Sequence, residues 1–264
     1  MTEDIEQPPN DDETSDESSS RSRRYVDITR VETLLATGEI TNVRGATLWG
    51  SNYATLVTVS DEELQTTAVY KPQRGERPLW DFPDGTLCYR ETLSYMVSKA
   101  LGWFLVPPTQ LRNGPHGLGS FQLFIEHNPE INYFTLDDRF ATQLQRFVLF
   151  DYLINNTDRK GGHLLLDASG KLWGIDHGLT FHVAPKLRTV IWEFAGQRVP
   201  ITLLDDVGKL CEQLDTDTSE LYCKLHELLS IAENAALMRR VTNLLEHKRY
   251  PSPGPGPNHP WPPV

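Results

Sequence analysis

The sequence predicts an α+β protein of two lobes, a small antiparallel sheet followed by a mainly helical half. Three observations carry this expectation. Between Ile40 and Lys71 the chain reads as β-prone runs broken by turn residues. After residue 138 the apolar residues recur at helical spacing. Between the two regions runs a polar connector, Asn128 to Asp138, which sets the lobe boundary.

At 264 residues the chain is long enough for one large domain or two lobes with a real core. No stretch approaches the roughly 18 apolar residues of a membrane span, and the acidic first twenty residues are unlike a secretion signal. The odd count of 3 cysteines, widely spaced, suits reduced thiols in a cytoplasmic protein. A net charge of −11 argues against a nucleic-acid partner. Residues 1–24 hold eight acids against three arginines, so nearly half of that charge sits in a tail expected to be disordered.

In chain order, the first lobe is expected over 25–127. Val31, Leu34 and Leu35 predict a short helix stopped at Gly38. Leu48 to Tyr53 has turn chemistry, Ala54 to Val59 is a strand, Asp61 to Glu63 a turn, and Thr66 to Lys71 another strand. A helix over 90–101 follows, with Leu93, Met96, Val97, Ala100 and Leu101 as its stripe and Glu91 in its first turn. Strands are predicted from Leu105 to Leu111 and from Gly119 to Glu126, around a turn at Gly114 to Gly117.

The second lobe is expected over 128–250. Phe140, Leu144, Phe147 and Val148, with Asp151 in line, define one face of a helix ending near Asn155. A loop, two short strands and a second loop follow, and place Asp158 and Asp176 on either side of a hairpin. Loop acids beside rigid apolar elements are where phosphoryl-transfer enzymes keep a base and a metal ligand. Gly178 is expected to allow a sharp backbone path after Asp176. Helices at about 202–214 and 218–247 close the lobe. The Pro-rich tail, 251–264, either docks through Trp261 or stays an extended polyproline segment.

The runs DYLINNTDR (Asp151 to Arg159), IDHGLTF (Ile175 to Phe181) and GSFQLFIE (Gly119 to Glu126) together resemble the phosphatidylinositol 3-/4-kinase superfamily. The nearest match is to type II phosphatidylinositol 4-kinases, and the branch indicated is actinobacterial. The resemblance covers roughly residues 45–195. It implies a protein-kinase-like fold that binds ATP with Mg²⁺ or Mn²⁺ between the lobes and phosphorylates a hydroxyl-bearing substrate. It implies Asp158 as the catalytic base, with Arg159 beside it as in the family's Asp-Arg motif, and Asp176 as metal ligand. Lys71, in Val-Tyr-Lys-Pro, resembles the family's phosphate-holding lysine, and Glu91 its partner. Leu123, Phe124, Ile125 and Glu126 match the hinge whose backbone pairs with adenine. The turn at Gly50 and Ser51 is the candidate for backbone contacts to the nucleotide's phosphates.

Two departures stand out. His163 occupies the metal-binding position five residues after the base, where the family usually has Asn; nitrogen suits Mn²⁺ better than Mg²⁺. The region 73–86 lacks the palmitoylated cysteine cluster of type II lipid kinases, with only Cys88 nearby. A protein or small-molecule hydroxyl therefore stands beside an inositol lipid as the expected acceptor. The alternative from another class is a nucleotide-binding pseudokinase serving as a regulatory or scaffold module. A weaker reading gathers His163, Asp176, His177 and His182 around a hydrolytic metal, without the helical His-x-x-x-His spacing. Oligomeric state is not legible in the sequence.

Overall fold

The computed structural model describes residues 27–47 and 53–264. The expectations for the acidic tail and for Gly50 and Ser51 lie outside the described residues.

A helix, α1 (Ile28–Thr37), opens the fold and buries Leu34 and Leu35 against the sheet that follows. Strands β1 (Glu39–Thr47), β2 (Ala54–Ser60) and β3 (Gln65–Pro72) form an antiparallel meander. Helix α2 (Leu87–Ala100) comes next, then the hairpin β4 (Thr109–Gly114) and β5 (Gly117–Leu123). β5 inserts beside β3, and the sheet order is β1-β2-β3-β5-β4. Alternating Val57, Val59, Ala68, Tyr70 and Phe121 supply the buried face under α1, as the two-residue period of a strand requires.

Three of the predicted boundaries move here. The strand expected from Leu105 begins only at Thr109. Pro107 and Pro108 have no N–H for a ladder, and the amides of Leu105 and Val106 go to Ser98 Oγ instead, at 2.7 and 3.3 Å. β5 ends at Leu123, where the amides of Leu123 and Phe124 make the last bonds to the neighbouring chains, at the carbonyls of Pro108 and Thr67. Helix α2 starts three residues early. Glu76 from the preceding loop accepts the amides of Leu87 and Cys88 at 3.0 and 2.8 Å and satisfies its N-terminus, so Glu91 lies in the second turn rather than the first.

The helical half contains α3 (Ala141–Leu153), the hairpin β6 (Leu164–Leu166) and β7 (Leu172–Gly174), then α4 (Ile201–Asp215), α5 (Glu220–Leu228) and α6 (Ile231–His247). The long helix expected over 218–247 is two. Ser230 N-caps α6 in a capping box with Glu233, a Ser-x-x-Glu signature that stands in the sequence and starts a new helix. One apolar core joins α3, α4, α5 and α6 to Leu93, Tyr95, Val97 and Leu101 on or just after α2. Helix α2 is thus clamped between the sheet and the helical half, and buried almost all round. Among the described residues no helix is long and apolar enough to cross a membrane, and all three cysteines are free.

The tail after α6 docks, but not by Trp261, which is 89% exposed. It is Pro260 that is buried, while the carbonyls of Asn258 and Pro263 accept amides from the body.

Candidate active site

Lys71 ends its strand one residue before Pro72, opposite Ser120 of β5. Its ammonium contacts Glu91 Oε1 directly and donates to Asp176 Oδ1 at 2.9 Å. Burial works against its charge, but the two carboxylates outweigh that cost and hold its pKa above the ordinary lysine value. Glu91, pointing away from the stripe of apolar residues on α2, is nonetheless 3% exposed, because the helix has a neighbour on each side. Its second oxygen accepts the amide of His177 at 3.0 Å. One carboxylate therefore joins the sheet's lysine to the loop after β7.

That loop is set by the β6–β7 hairpin. Asp167 closes its turn, accepting from Ser169 and Lys171 amides at 2.8 and 3.1 Å, and Gly170 takes a φ of 85°. The amide of Ile175 then donates to His163 O at 3.0 Å, and Asp176 follows with a φ of 61°. Aspartate tolerates this left-handed conformation better than most residues. The sharp path expected at Gly178 thus falls on Asp176 itself. Gly178 has no positive φ; it packs against α2, a Cβ there lying 3.4 Å from Leu87. The Asp176 side chain is 48% exposed, and chiefly the charge of Lys71 holds its pKa well below the carboxylate range.

Asp158 lies in the loop after α3, its amide donating to Asn156 Oδ1 at 3.0 Å. The side chain is 25% exposed and 3.4 Å from Lys160 Nζ. Burial, reinforced by the negative charge of Asp176 and opposed by Lys160 and Arg188, pushes its pKa up to about 6. His163 ends a three-residue 3₁₀ turn that begins at Gly161, with Nε2 at 3.5 Å from Asp176 Oδ2. Burial pushes its pKa down to about 4, so the ring is neutral near pH 7.

Arg159 departs from its expected place. It is fully buried and cannot touch a substrate. Its guanidinium grips Asp151 of α3 with two bonds, at 2.9 and 2.8 Å, and donates to Ile175 O at 3.2 Å. It also meets His177 Nε2 at 2.6 Å. A guanidinium only donates, so Nε2 accepts and the proton sits on Nδ1, which has no hydrogen-bond partner among the described residues. Arg159 is a brace between the two acidic loops.

Lys71, Glu91, Asp176 and His163 converge, with Asp158 close enough to exchange charge effects with Asp176. Leu123 lies opposite Ala68, three positions along β3 from Lys71, roughly 10 Å away at strand spacing. The amides of Leu123 and Phe124 are already engaged by the carbonyls of Pro108 and Thr67 at 2.8 and 3.0 Å. The hydrolytic-metal reading fails: among the described residues no three His, Cys, Asp or Glu side chains gather as a metal-binding group. His182 instead packs edge-on to Phe82.

Several working contacts left no sign in the sequence. Arg90, buried in α2, donates to Thr180 O and to Glu233 Oε1 of α6, both at 2.6 Å. Nothing in the spacing of these residues, far apart in the chain, announces the contact.

A lysine beneath a five-stranded antiparallel sheet, held between Glu91 and the loop acid Asp176 with a second loop acid, Asp158, nearby on the helical half, defines a two-lobed kinase-like phosphotransferase fold. The sequence profile described as "Phosphatidylinositol 3- and 4-kinase" matches residues 48–247, and the chain belongs to that family. Protein Rv2133c of Mycobacterium tuberculosis, an actinobacterium, is 39% identical over 268 aligned positions, covering 87% of this chain and 94% of that protein. Among solved structures, hydra Fam20 with sugar superposes with a TM-score of 0.51 at 14% identity, over 83% of this chain and 87% of that one. The Helicobacter pylori proinflammatory kinase CtkA gives 0.49 at 13% identity, over 82% and 94% of the two chains. The first of these likenesses shows a shared fold.

Proposed function

We propose that the chain transfers the γ-phosphoryl group of ATP to a hydroxyl acceptor, with Asp158 as the base. The observation that carries this reading is the Lys71 ammonium bridging Glu91 and Asp176. A cation fixed in this way has a defined direction and stays charged, which is what holding a nucleotide's phosphates requires. Ile125 and Glu126 present backbone to the adenine edge.

Asp158 accepts the acceptor's proton as its oxygen bonds to the γ-phosphorus, and the bond to the bridging oxygen of ADP breaks. A pKa of about 6 suits that task near neutral pH: the group is ionised yet basic enough to take a proton. Asp176, half-exposed and held anionic, offers hard carboxylate oxygens that fit Mg²⁺ or Mn²⁺, with His163 as a neutral nitrogen beside it. A divalent ion bound there would neutralise charge developing on the phosphates.

Purified protein incubated with labelled ATP and Mg²⁺ or Mn²⁺, alongside Asp158→Ala and Asp176→Ala, tests the reading. Turnover in the intact chain and its loss in both variants is expected. A second reading, a nucleotide-binding module without turnover, draws on His163 standing where the family usually has Asn. ATP binding with neither hydrolysis nor autophosphorylation would favour it, and no ATP binding would reject both.

A further inference from the structure

The family profile ends at residue 247, yet the chain beyond it runs along the candidate active site. Tyr250 is buried and exchanges backbone bonds with the 196–197 turn, its amide to Gln197 O at 3.0 Å and its carbonyl from Gly196 at 3.2 Å. The Asn258 side chain then closes a loop on Gly254, with bonds of 3.0 and 2.8 Å to its amide and carbonyl. That loop aims the Asn258 carbonyl at the body, where it accepts from the Thr189 amide at 3.0 Å and from Trp192 Nε1 at 3.2 Å. Thr189 is itself bridged to the catalytic loop: Arg159 donates its amide to Arg188 O at 3.0 Å, and Val190 donates to Arg159 O at 3.2 Å. Five residues past Asn258, Pro263 O accepts the amide of Gly161 at 2.7 Å, the first donor of the turn that carries His163. Gly161 has little room there, since a Cβ would lie 2.8 Å from the Phe134 ring.

We infer that residues 250–263 form a strap that positions the catalytic loop, with Asn258 and the Pro263 carbonyl as its two fastenings. The inference rests on the phosphotransfer reading and assigns to that site a positioning element beyond the family domain. The strap is a brace and not a plug. It holds the backbone amides of Gly161 and Thr189, while Asp158 and Asp176 keep 25% and 48% of their side chains exposed. Seven prolines between Pro251 and Pro263 limit the freedom the segment loses on docking, which favours a fixed strap over a transient one.

The test compares the full chain with Asn258→Ala, with a deletion of residues 259–264, and with Pro263→Ala, which keeps the carbonyl. ATP hydrolysis and autophosphorylation are measured with Mg²⁺ or Mn²⁺, together with amide hydrogen exchange across 156–163 and 186–192. The first two variants should lose about tenfold or more in kcat, as small displacements of reacting groups do, with KM for ATP within about twofold. Exchange at Gly161 should quicken in the deletion and at Thr189 in Asn258→Ala, while Pro263→Ala stays near the full chain. Unchanged or raised kcat overturns the inference, and so does a proportionate loss of nucleotide affinity. If the deletion fails to fold, Asn258→Ala decides by the same two readouts. If the full chain turns over no ATP, the proposed function fails, and unchanged exchange in the variants then overturns the strap as well.

Discussion

Arg90 of α2 and Glu233 of α6, 143 positions apart, meet at 2.6 Å with both side chains almost wholly buried. The same Arg90 donates to Thr180 O, and the same Glu233 completes the capping box of α6. The helix that presents Glu91 to Lys71 is therefore anchored in the helical half by the neighbouring residue. Rotating α2 away from Lys71 would break a buried ion pair, so in this protein the lysine–glutamate contact is built into the fold.

Removing one partner should be far worse than removing both. Arg90→Met or Glu233→Leu leaves a buried charge unpaired and should cost about 3–5 kcal/mol of stability, whereas the double variant should recover much of that loss. Denaturant unfolding of the three variants reads this out, and additive losses would refute it.

Lys71→Met should abolish ATP turnover by at least about a hundredfold, the scale seen when one fixed electrostatic donor is removed from a reacting centre. It should also lower the thermal midpoint, since Glu91 stays buried without its counter-charge. Turnover measured beside a melting curve separates the two effects.

The raised pKa of Asp158 gives a signed pH dependence. Its folded value of about 6 lies above its ordinary 3.8, so the protonated form favours the folded state. That contribution is complete below pH 4 and is lost as pH rises through about 6. Activity runs the other way, because a base must be ionised: kcat/KM should climb about tenfold per pH unit below 6 and level off above it. Asp158→Asn should flatten the stability profile over the same window, and an unchanged profile would reassign the effect.

His163→Asn replaces a ring nitrogen 3.5 Å from Asp176 with an oxygen donor. The native chain should turn over ATP faster with Mn²⁺ than with Mg²⁺, and the variant should shift that ratio toward Mg²⁺ by about tenfold or more. Chelation of the metal should stop turnover in both. Equal ratios would place His163 outside metal binding.

Arg159→Lys is not a conservative change here. A lysine cannot reproduce the two-pronged contact with Asp151 while also reaching Ile175 O and His177, so the variant should destabilise the chain by about 3 kcal/mol or more. Turnover of the folded fraction, measured at low temperature, should fall too, since the brace spans both acidic loops.

The predicted order of strands and helices rests on local signals, and those were legible. β-branched runs between turns, the stripes at helical spacing and the polar connector each lie within a dozen residues. The strand-end lysine, the Asp-Arg loop and the Ile-Asp-His-Gly segment were visible for the same reason. Boundaries moved where a distant or unusual partner took over the backbone. Glu76 capped α2 early, Ser98 drew the amides of Leu105 and Val106 out of the sheet, and Ser230 started a helix that periodicity alone ran together with its neighbour.

From its residues alone the chain determined which segments become strands or helices and which loops carry acids, because those choices depend on short-range sterics and apolar period. The direction of each side chain was decided by what the assembled layers put around it. Glu91 points off its apolar stripe and is still buried, since α2 has a neighbour on both sides. Arg159 follows the candidate base in sequence and turns inward, where Asp151 supplies a fully buried counter-charge. The tail contributes Pro263 to the loop of Asp158 through a backbone carbonyl, a group every residue carries, so no residue type could mark that contact in advance.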